Sequence, residues 1–423
     1  MVAKQPTPYM RFVAAAGFTN LADGIATMAW AWLATLLTRD PLYVALVPVA
    51  LRLPWFLFAI PAGLVTDRVN RRTLIIAMDI ARACAFALAA ISVWLALPLE
   101  AAPATGVSNS GLFAAIIAAA LLVGLAEVFR DNAAQTMLPS FVPHHQLEGA
   151  NARMWTVESI MNNLLGPVVG AFLIGLFLPL PFLFNALCFV LASLLVTTIH
   201  GNFQPAKRET RNLRAEFKEA FDFLIANPLL RTLAWTTGFW NMFHQMTLVA
   251  IVLYAQETLQ LSAAQYGVLL TAGAIGGIVG GFIAEPVIKR LGAPLAAPLM
   301  LSTSIVEFSI IAAVPSVYAA ALALFVGGCS AIIWDTVSVS NRQRLIPDNM
   351  LGRVNSMYRL MAWGLMPVGL ALSGLIIRIA EGPLPRETAL VLPFWVAAAG
   401  VAILTAFACR GIYVGLLALQ KPQ

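Results

Sequence analysis

The 423-residue chain is 60% hydrophobic, only 11% of its residues are charged, and its formal net charge is +6. Ordinary soluble domains carry about 25% charged residues, so this composition excludes a water-soluble globule. The surplus of basic residues falls in particular loops and follows membrane topology, so we predict no nucleic-acid partner.

Apolar runs of about 17 to 25 residues recur along the chain, and each can cross a hydrocarbon core about 30 Å thick. Continuous runs predict helices, whereas a membrane barrel would show alternating strands of about ten residues. The first run, Phe12 to Leu37, is too long for a secretory signal peptide and contains Asp23. We therefore predict an all-α membrane protein of about twelve transmembrane helices. The predicted helices begin near Phe12, Tyr43, Thr73, Leu112, Trp155, Phe182, Thr232, Ala264, Ala293, Val317, Val354 and Ala389.

Basic residues cluster in alternate loops, which places both termini in the cytoplasm of a multi-pass plasma (inner) membrane protein. The longest polar stretch separates the sixth and seventh runs. We predict an N-terminal six-helix half at 1–200, a cytosolic linker at 201–228 and a C-terminal six-helix half at 229–423. The linker residues Leu213, Phe217, Phe221 and Leu224 have helical spacing, which predicts an amphipathic helix on the membrane face. A solvated tether is the alternative.

The two halves repeat each other. Gly63 and Gly281 are 218 residues apart, as are Asp67 and Glu285. The basic pair Arg71 and Arg72 matches Lys289 and Arg290 at the same offset. A second set of matching residues, which includes Asp131 and Asp335, is 204 residues apart. Such a repeat predicts two pseudo-symmetric halves in the same orientation.

The segment Gly63 to Arg72 resembles the signature of the major facilitator superfamily, in which a glycine, an acid and paired basic residues join the second and third helices. The resemblance implies the major facilitator fold and a latch on the cytoplasmic side. We interpret the motif, its echo and two further arginines as that cytoplasmic gate; a static loop that only follows topology is the alternative. The gate residues are Gly63, Asp67, Arg68, Arg71, Arg72, Arg130, Glu285, Lys289, Arg290 and Arg359.

A second motif, Gly166, Pro167 and Gly170, is similar to the kink of antiporters in this superfamily, although any membrane helix can bend and pack in this way. With the segments NLADG, FDFLIANPLLR and LGRVNSMYRL, the chain resembles the branch of enterobactin exporters and macrolide and multidrug efflux proteins. The resemblance implies proton-driven export of a small compound.

Ionisable groups inside lipid are costly, so each is a functional candidate. Asp23, half-way along the first run, is the first proton-coupling candidate, and the alternative is a permanent hydrogen bond or ion pair, for example with Arg52. Glu158 and Glu307 are further candidates. Asp79 and Arg82 are three residues apart on one helix and are expected to pair with each other.

Polar and aromatic residues in the first, second and seventh runs are suited to a substrate cavity, although core packing is the commoner role of such residues. These substrate-cavity candidates are Asn20, Trp30, Arg52, Trp55, Asn241, His244 and Gln245.

Taken together, these features predict a monomeric secondary transporter that exports a small amphipathic or cationic compound, a drug or a siderophore-like metabolite, by alternating access. Its partners are the substrate, protons and the bilayer, and we expect no cofactor and no metal site. The chain has no GxxxxGK[ST] phosphate loop and no nucleophile with a base, so ATP as energy source and enzymatic activity are not predicted. An importer or lipid flippase on the same fold, and a receptor that does not transport, remain alternatives.

Overall fold

The computed structural model describes residues 7–66, 68–143, 147–204, 213–347 and 350–419, and these residues form helices joined by short turns. The described helices of the N-terminal region are α1 (Thr7–Leu37), α2 (Pro41–Thr66), α3 (Arg71–Leu95), α4 (Ser110–Met137), α5 (Leu147–Glu158), α6 (Gly166–Leu176) and α7 (Leu180–Thr197). The remainder are α8 (Leu213–Ala226), α9 (Pro228–Glu257), α10 (Ala263–Leu291), α11 (Ala293–Ala313), α12 (Val317–Leu345), α13 (Leu351–Trp363), α14 (Met366–Ala380) and α15 (Arg386–Ala418).

Asparagine side chains cap several of these helices at their N-termini. The Asn109 carboxamide oxygen accepts a hydrogen bond of 2.9 Å from the backbone N–H of Leu112 at the start of α4. Asn227 accepts bonds from the first residues of α9, where Pro228 removes one backbone donor that would otherwise lack a partner. Caps of this kind place the helix starts where polar sequence meets an apolar run.

Eleven helical stretches in the described residues are long and apolar enough to cross a membrane. Two of them are composite, since α5 continues into α6 and α13 into α14. The helix α9 has 30 residues and is also long enough, but Asn241, His244 and Gln245 interrupt its apolar sequence. With α9 the described residues contain twelve long helical segments, and the prediction of an all-α membrane protein is confirmed.

The helices form two compact units. The first comprises Met1–Lys207 with Leu261–Thr271, and the second comprises Arg208–Gln260 with Ala272–Gln423. The domain boundaries at 200 and 229 stay a prediction. The linker residues Leu213–Ala226 form the helix α8, in which Leu224 is buried while Phe217 and Phe221 are exposed; the side chain of Leu213 lies outside the described residues.

The same helix pairings occur in both units. In the first unit α1 packs on α6 and α7, and α3 packs on α4 and α7. In the second unit α9 packs on α14 and α15, and α11 packs on α12 and α15. Each first helix therefore meets the second part of a broken helix, as the internal repeat predicts.

Glycines bring helix axes close together in the second unit. A Cβ placed on Gly276 of α10 would overlap the carbonyl oxygen of Phe325 on α12, and one on Gly280 would lie 2.6 Å from the carbonyl oxygen of Cys329. Gly281, one residue further along α10, faces open space. Close backbone approach at small residues is how membrane helices gain van der Waals contact without a hydrophobic driving force.

We predict that Gly276→Ala lowers the thermal unfolding temperature of the detergent-solubilised protein, because the added methyl group forces α10 and α12 apart at a cost of about 1–3 kcal/mol. The matched variant Gly281→Ala has space for its methyl group and gains helix propensity, so its unfolding temperature should stay unchanged or rise. Equal unfolding temperatures for the two variants would show that the two helices do not pack as described.

Candidate functional site

The centre of the first unit holds a group of charged side chains contributed by α1 to α4. The guanidinium of Arg82 on α3 is fully buried and donates a hydrogen bond from Nη2 to the carboxylate of Asp23 on α1. The same guanidinium lies 4.0 Å above the ring of Phe189. Asp23 therefore pairs with Arg82, and not with Arg52 as the alternative interpretation expected.

The next pair of this group joins α3 to α4. Nε of Arg130 lies 3.4 Å from Oδ1 of Asp79, a carboxylate with no exposed surface, and Nη1 of Arg130 lies 3.3 Å from Asp131. The expected pairing of Asp79 with Arg82 along α3 is thus replaced by two pairings to neighbouring helices. The backbone of α3 limits how closely two side chains of α3 can approach each other. A side chain on a neighbouring helix can approach the buried charge directly.

The third pair joins α2 to α4. Nη1 of Arg52 lies 3.8 Å from Oε1 of Glu127, at the edge of the group where the Arg52 side chain is 46% exposed. Gly124, one turn before Glu127, allows α4 to lie close to α2, because a Cβ on Gly124 would overlap the carbonyl oxygen of Leu51. Glu127 lies well inside α4, ten residues before its last residue, Met137.

This charge network (Asp23, Asp79, Glu127, Asp131, Arg52, Arg82 and Arg130) contains four carboxylates and three guanidinium groups, so its formal charge is −1 when every group is ionised. Arginine stays protonated in proteins, whereas a carboxylate can take up a proton. In a medium of low dielectric an uncompensated charge is costly. One bound proton would therefore make the network neutral.

Hydrogen bonding within the network is incomplete. Among the described residues, Nε and Nη1 of Arg82 and both oxygens of Asp79 have no hydrogen-bond partner although all four atoms are buried. Buried polar atoms normally find partners. The charged groups can therefore exchange partners without first losing a saturated set of hydrogen bonds.

The antiporter-like motif packs directly beside Asp23. A Cβ on Gly166 of α6 would overlap the backbone of Gly24, and one on Gly170 would lie 3.0 Å from the carbonyl oxygen of Ile25. Pro167 has no backbone N–H and would clash with an α-helical carbonyl four residues earlier. The preceding segment Ser159–Leu165 is accordingly a π-helix, which widens the turn.

The predicted gate motif is only partly described, since Asp67 lies outside the described residues. Nη1 of Arg71 donates to the carbonyl oxygen of Thr136 at the end of α4, and Nε of Arg72 donates to that of Val196 at the end of α7. Cationic donors at a helix C-terminus bind carbonyl groups that have no partner within the helix, and they interact favourably with the negative end of the helix dipole. Arg68 is exposed, and a Cβ on Gly63 would meet no heavy atom of the described chain within 4 Å, so Gly63 makes no close contact with another described helix.

The residues of the second unit that match this motif form an exposed ion pair on a single helix. Nζ of Lys289 lies 2.5 Å from Oε1 of Glu285, one turn apart on α10, and Arg290 is also exposed. The guanidinium of Arg359 on α13 lies 4.3 Å from the ring centroid of Trp363. Arg130 belongs to the charge network instead. The gate stays a prediction, since its ten residues belong to both units and Asp67 lies outside the described residues.

Several candidates of the first unit lie outside the charge network. Trp30 is buried between the rings of Phe86 and Phe182, at centroid distances of 5.6 and 4.9 Å, so it is a core residue and not a substrate contact. Asn20 donates to the carbonyl oxygen of Ala16 within its own helix. Trp55 is half-buried on α2, and Glu158 is exposed at the start of the π-helix.

The second unit contains a cavity of about 120 Å³ between α9, α11, α12 and α13. Asn241 lines it and donates to the carbonyl oxygen of Ala362, while Trp240 donates to the hydroxyl of Ser304 at 2.9 Å. His244 stacks on Trp240 at 5.0 Å, and Gln245 is buried. The cavity is lined by Thr237, Trp240, Asn241, Met300, Leu301, Ser304, Ser330, Ala331, Trp334, Asp335 and Trp363.

Two carboxylates of this unit differ from those of the charge network. Glu307, one turn after Ser304, is 4% exposed, and its carboxylate occupies the space that a Cβ on Gly327 would fill. Glu307 and Asp335 make no hydrogen bond and no ion pair with the described residues. The sequence analysis did not select Asp335, Trp334 or Trp363, although the presence of an acid within an apolar run was a signal for Asp335.

The sequence profile of the transmembrane secretion effector family matches residues 8–408. The chain belongs to the major facilitator superfamily. Its family membership and fold are those of membrane transporters, which implies a small-molecule substrate and a lipid bilayer around the helices. A comparison with curated protein sequences finds no match.

Solved structures of this superfamily share the fold at low sequence identity. A bacterial homologue of the iron transporter ferroportin in the inward-facing state has a TM-score of 0.70 at 16% identity, over 95% of this chain and 99% of that one. A bacterial homologue of the human lysosomal transporter Spinster has a TM-score of 0.72 at 14% identity, over 97% and 96%. The nucleoside transporter NupG has a TM-score of 0.68 at 13% identity, over 96% and 99%. These likenesses concern the fold alone.

The charge count of the network predicts unequal effects of removing its members. Arg82→Met leaves four carboxylates with only two guanidinium groups in the network and should lower the free energy of unfolding by about 3–5 kcal/mol. Asp23→Asn leaves three cations with three carboxylates, and the amide oxygen can still accept from Arg82, so its cost should be much smaller. Denaturant unfolding of the purified variants measures both values.

The double variant Asp23→Asn/Arg82→Met completes this cycle. It should be more stable than Arg82→Met alone, because removing the Asp23 charge relieves part of the imbalance. Additive effects of the two substitutions would show that Asp23 and Arg82 do not interact.

Proposed function

We propose that the protein is a proton-coupled exporter of a small amphipathic compound, a drug or a siderophore-like metabolite, and that it works by alternating access between its two halves. The family description, a secretion effector, supports the outward direction. The resemblance to enterobactin, macrolide and multidrug exporters supports the substrate class. We place the protein in the plasma membrane as a monomer, with both termini in the cytoplasm.

The observation that carries the proposal is the excess of one carboxylate over the guanidinium groups in the charge network. Asp23 is the member best suited to take up the proton. Its side chain is 24% exposed, between the fully buried Asp79 and the 34% exposed Asp131, so a proton can reach Asp23 while Asp23 still pairs with the buried guanidinium of Arg82. Asp23 also lies at the crossing of α1 with the kinked segment before α6.

Protonation of Asp23 would couple to conformation through Arg82. A neutral carboxylic acid no longer balances the buried guanidinium, which must then be balanced by the other carboxylates of the network. Arg82 interacts electrostatically with both Asp79 and Glu127, on α3 and α4. A shift of Arg82 towards these groups would loosen the contact between α1 and α3 and free α1 to move against α6.

Glu307 is a second proposed proton site, in the other unit. Its carboxylate is buried against Gly327 and has no cation partner among the described residues. A carboxyl group in this position is stable when protonated and would gain from moving away when ionised. Glu158 stays a proposed proton-coupling residue, although its side chain is exposed and not buried as expected.

The proposal predicts that Asp23→Asn abolishes substrate accumulation driven by a pH gradient. Purified protein is reconstituted in liposomes that contain a pH-sensitive dye, and transport of ethidium, erythromycin and 2,3-dihydroxybenzoylserine is measured. Substrate-dependent proton flux is expected for the wild type with at least one of these compounds. The side-chain amide of the Asp23→Asn variant cannot bind the proton, so uphill transport should be lost while exchange of labelled for unlabelled substrate persists.

The exposed residue Asp222 on α8 provides the matched control, and Asp222→Asn should transport as the wild type does. Gradient-driven accumulation by Asp23→Asn would reject Asp23 as the coupling residue. Substrate movement with the proton, in place of movement against it, would indicate an importer. Binding without exchange would indicate a receptor, and movement of labelled phospholipid between leaflets would indicate a flippase.

A further inference from the structure

The cavity of the second unit combines three indole rings with one carboxylate. Trp240 on α9, Trp334 on α12 and Trp363 on α13 line it from three helices, and Asp335 follows Trp334 directly. The Trp240 ring is fixed in place by its hydrogen bond of 2.9 Å to Ser304 and by stacking on His244. The aromatic side chains therefore form walls of defined position around an acidic group.

Asp335 lacks a direct counter-ion among the described residues. The cation that acts on it is Arg342, two turns further along α12, and no ion pair joins the two side chains. The guanidinium of Arg342 instead lies 3.9 Å from the ring centroid of Tyr358. Arg359 is likewise stacked on Trp363. Asp335 is exposed at this open cavity, so a cationic ligand can reach its carboxylate and supply the charge partner that the described residues do not provide.

The aromatic walls of the cavity also favour a positively charged ligand. The face of an indole ring carries negative electrostatic potential, and a cation within about 6 Å of its centroid is attracted by about 0.5–2 kcal/mol. An anionic ligand would be repelled by Asp335, and a neutral one would leave the carboxylate uncompensated. The cavity thus selects an organic cation by two independent interactions.

The size of the cavity limits the charged part of the ligand. A cavity of about 150 Å³ lined by apolar side chains accommodates benzene. The observed volume of about 120 Å³ therefore fits a single aromatic ring or a quaternary ammonium group. A larger substrate would place only this part between the indole rings.

We propose that this cavity is the binding site for a monocationic organic group, with Asp335 as its counter-ion and Trp240, Trp334 and Trp363 as its aromatic walls. The inference rests on the proposed transport function, which it deepens by naming the substrate class and the residue that recognises its charge. The site lies in the second unit and is separate from the charge network, so substrate charge and proton are bound by different carboxylates.

Equilibrium binding tests this site without any gradient. The full chain is placed in nanodiscs of uncharged phosphatidylcholine, and calorimetry measures binding of N-methylpyridinium, its neutral isostere pyridine N-oxide, and benzoate. We expect N-methylpyridinium to bind at least ten-fold more tightly than pyridine N-oxide, and benzoate not to bind. Asp335→Asn should weaken N-methylpyridinium binding at least ten-fold, whereas Asp335→Glu should retain most of it.

Asp222→Asn, a variant of an exposed acid, should bind as the wild type does. Equal binding of the cation and its neutral isostere by the wild type would overturn the proposal, and this comparison needs no variant to fold. Unchanged binding in a folded Asp335→Asn protein would overturn it as well. Failure of proton-driven transport with cation binding intact would reject the coupling mechanism but keep the site, so the two outcomes are distinguishable.

Discussion

Pairing of charges away from water is the constraint that organises the first unit. A guanidinium in a low-dielectric interior must be balanced by a carboxylate, and breaking such a pair costs several kcal/mol. Arg82 binds Asp23 across α1 and α3, and Arg130 binds Asp79 across α3 and α4. Three helices are held in register by two ion pairs. Glycine contacts bring other helices close to these pairs, since Gly24 of α1 meets Asn162 of the π-helix and Gly124 of α4 meets Leu51 of α2.

The two units share a scaffold and differ in content. Both pack their first helix on the second part of a broken helix, through Gly166 on α6 and Gly369 on α14. Paired charges lie at the centre of the first unit, whereas the cavity of the second unit is lined by indole rings and by Asp335, which has no ion pair among the described residues. The repeated scaffold provides equivalent positions, while side-chain substitution gives each unit a different chemistry.

Backbone irregularity coincides with the functional candidates. The π-helix Ser159–Leu165 precedes Pro167 and lies against Gly24, next to Asp23. In the second unit the turn at Gly364 and Leu365 separates α13 from α14, directly after Trp363. Non-helical or widened backbone inside a membrane is tolerated where it is buried in protein or lines a cavity. These breaks provide points at which a helix can bend without losing a full set of hydrogen bonds.

The sequence by itself determined the membrane environment, the number of long helices and the internal repeat, because hydrophobic length and loop charge are local quantities. It also selected Asp23, since one acid in a long apolar run is informative without coordinates. Only the tertiary structure decided that Asp23 binds Arg82, that Trp30 is a core residue and that Asp335 faces three indole rings. Helical spacing predicts neighbours along one helix, whereas these partners lie on different helices. Which partners meet depends on the rotation of each helix about its axis and on glycine contacts between helices. The residue spacing within one helix determines neither.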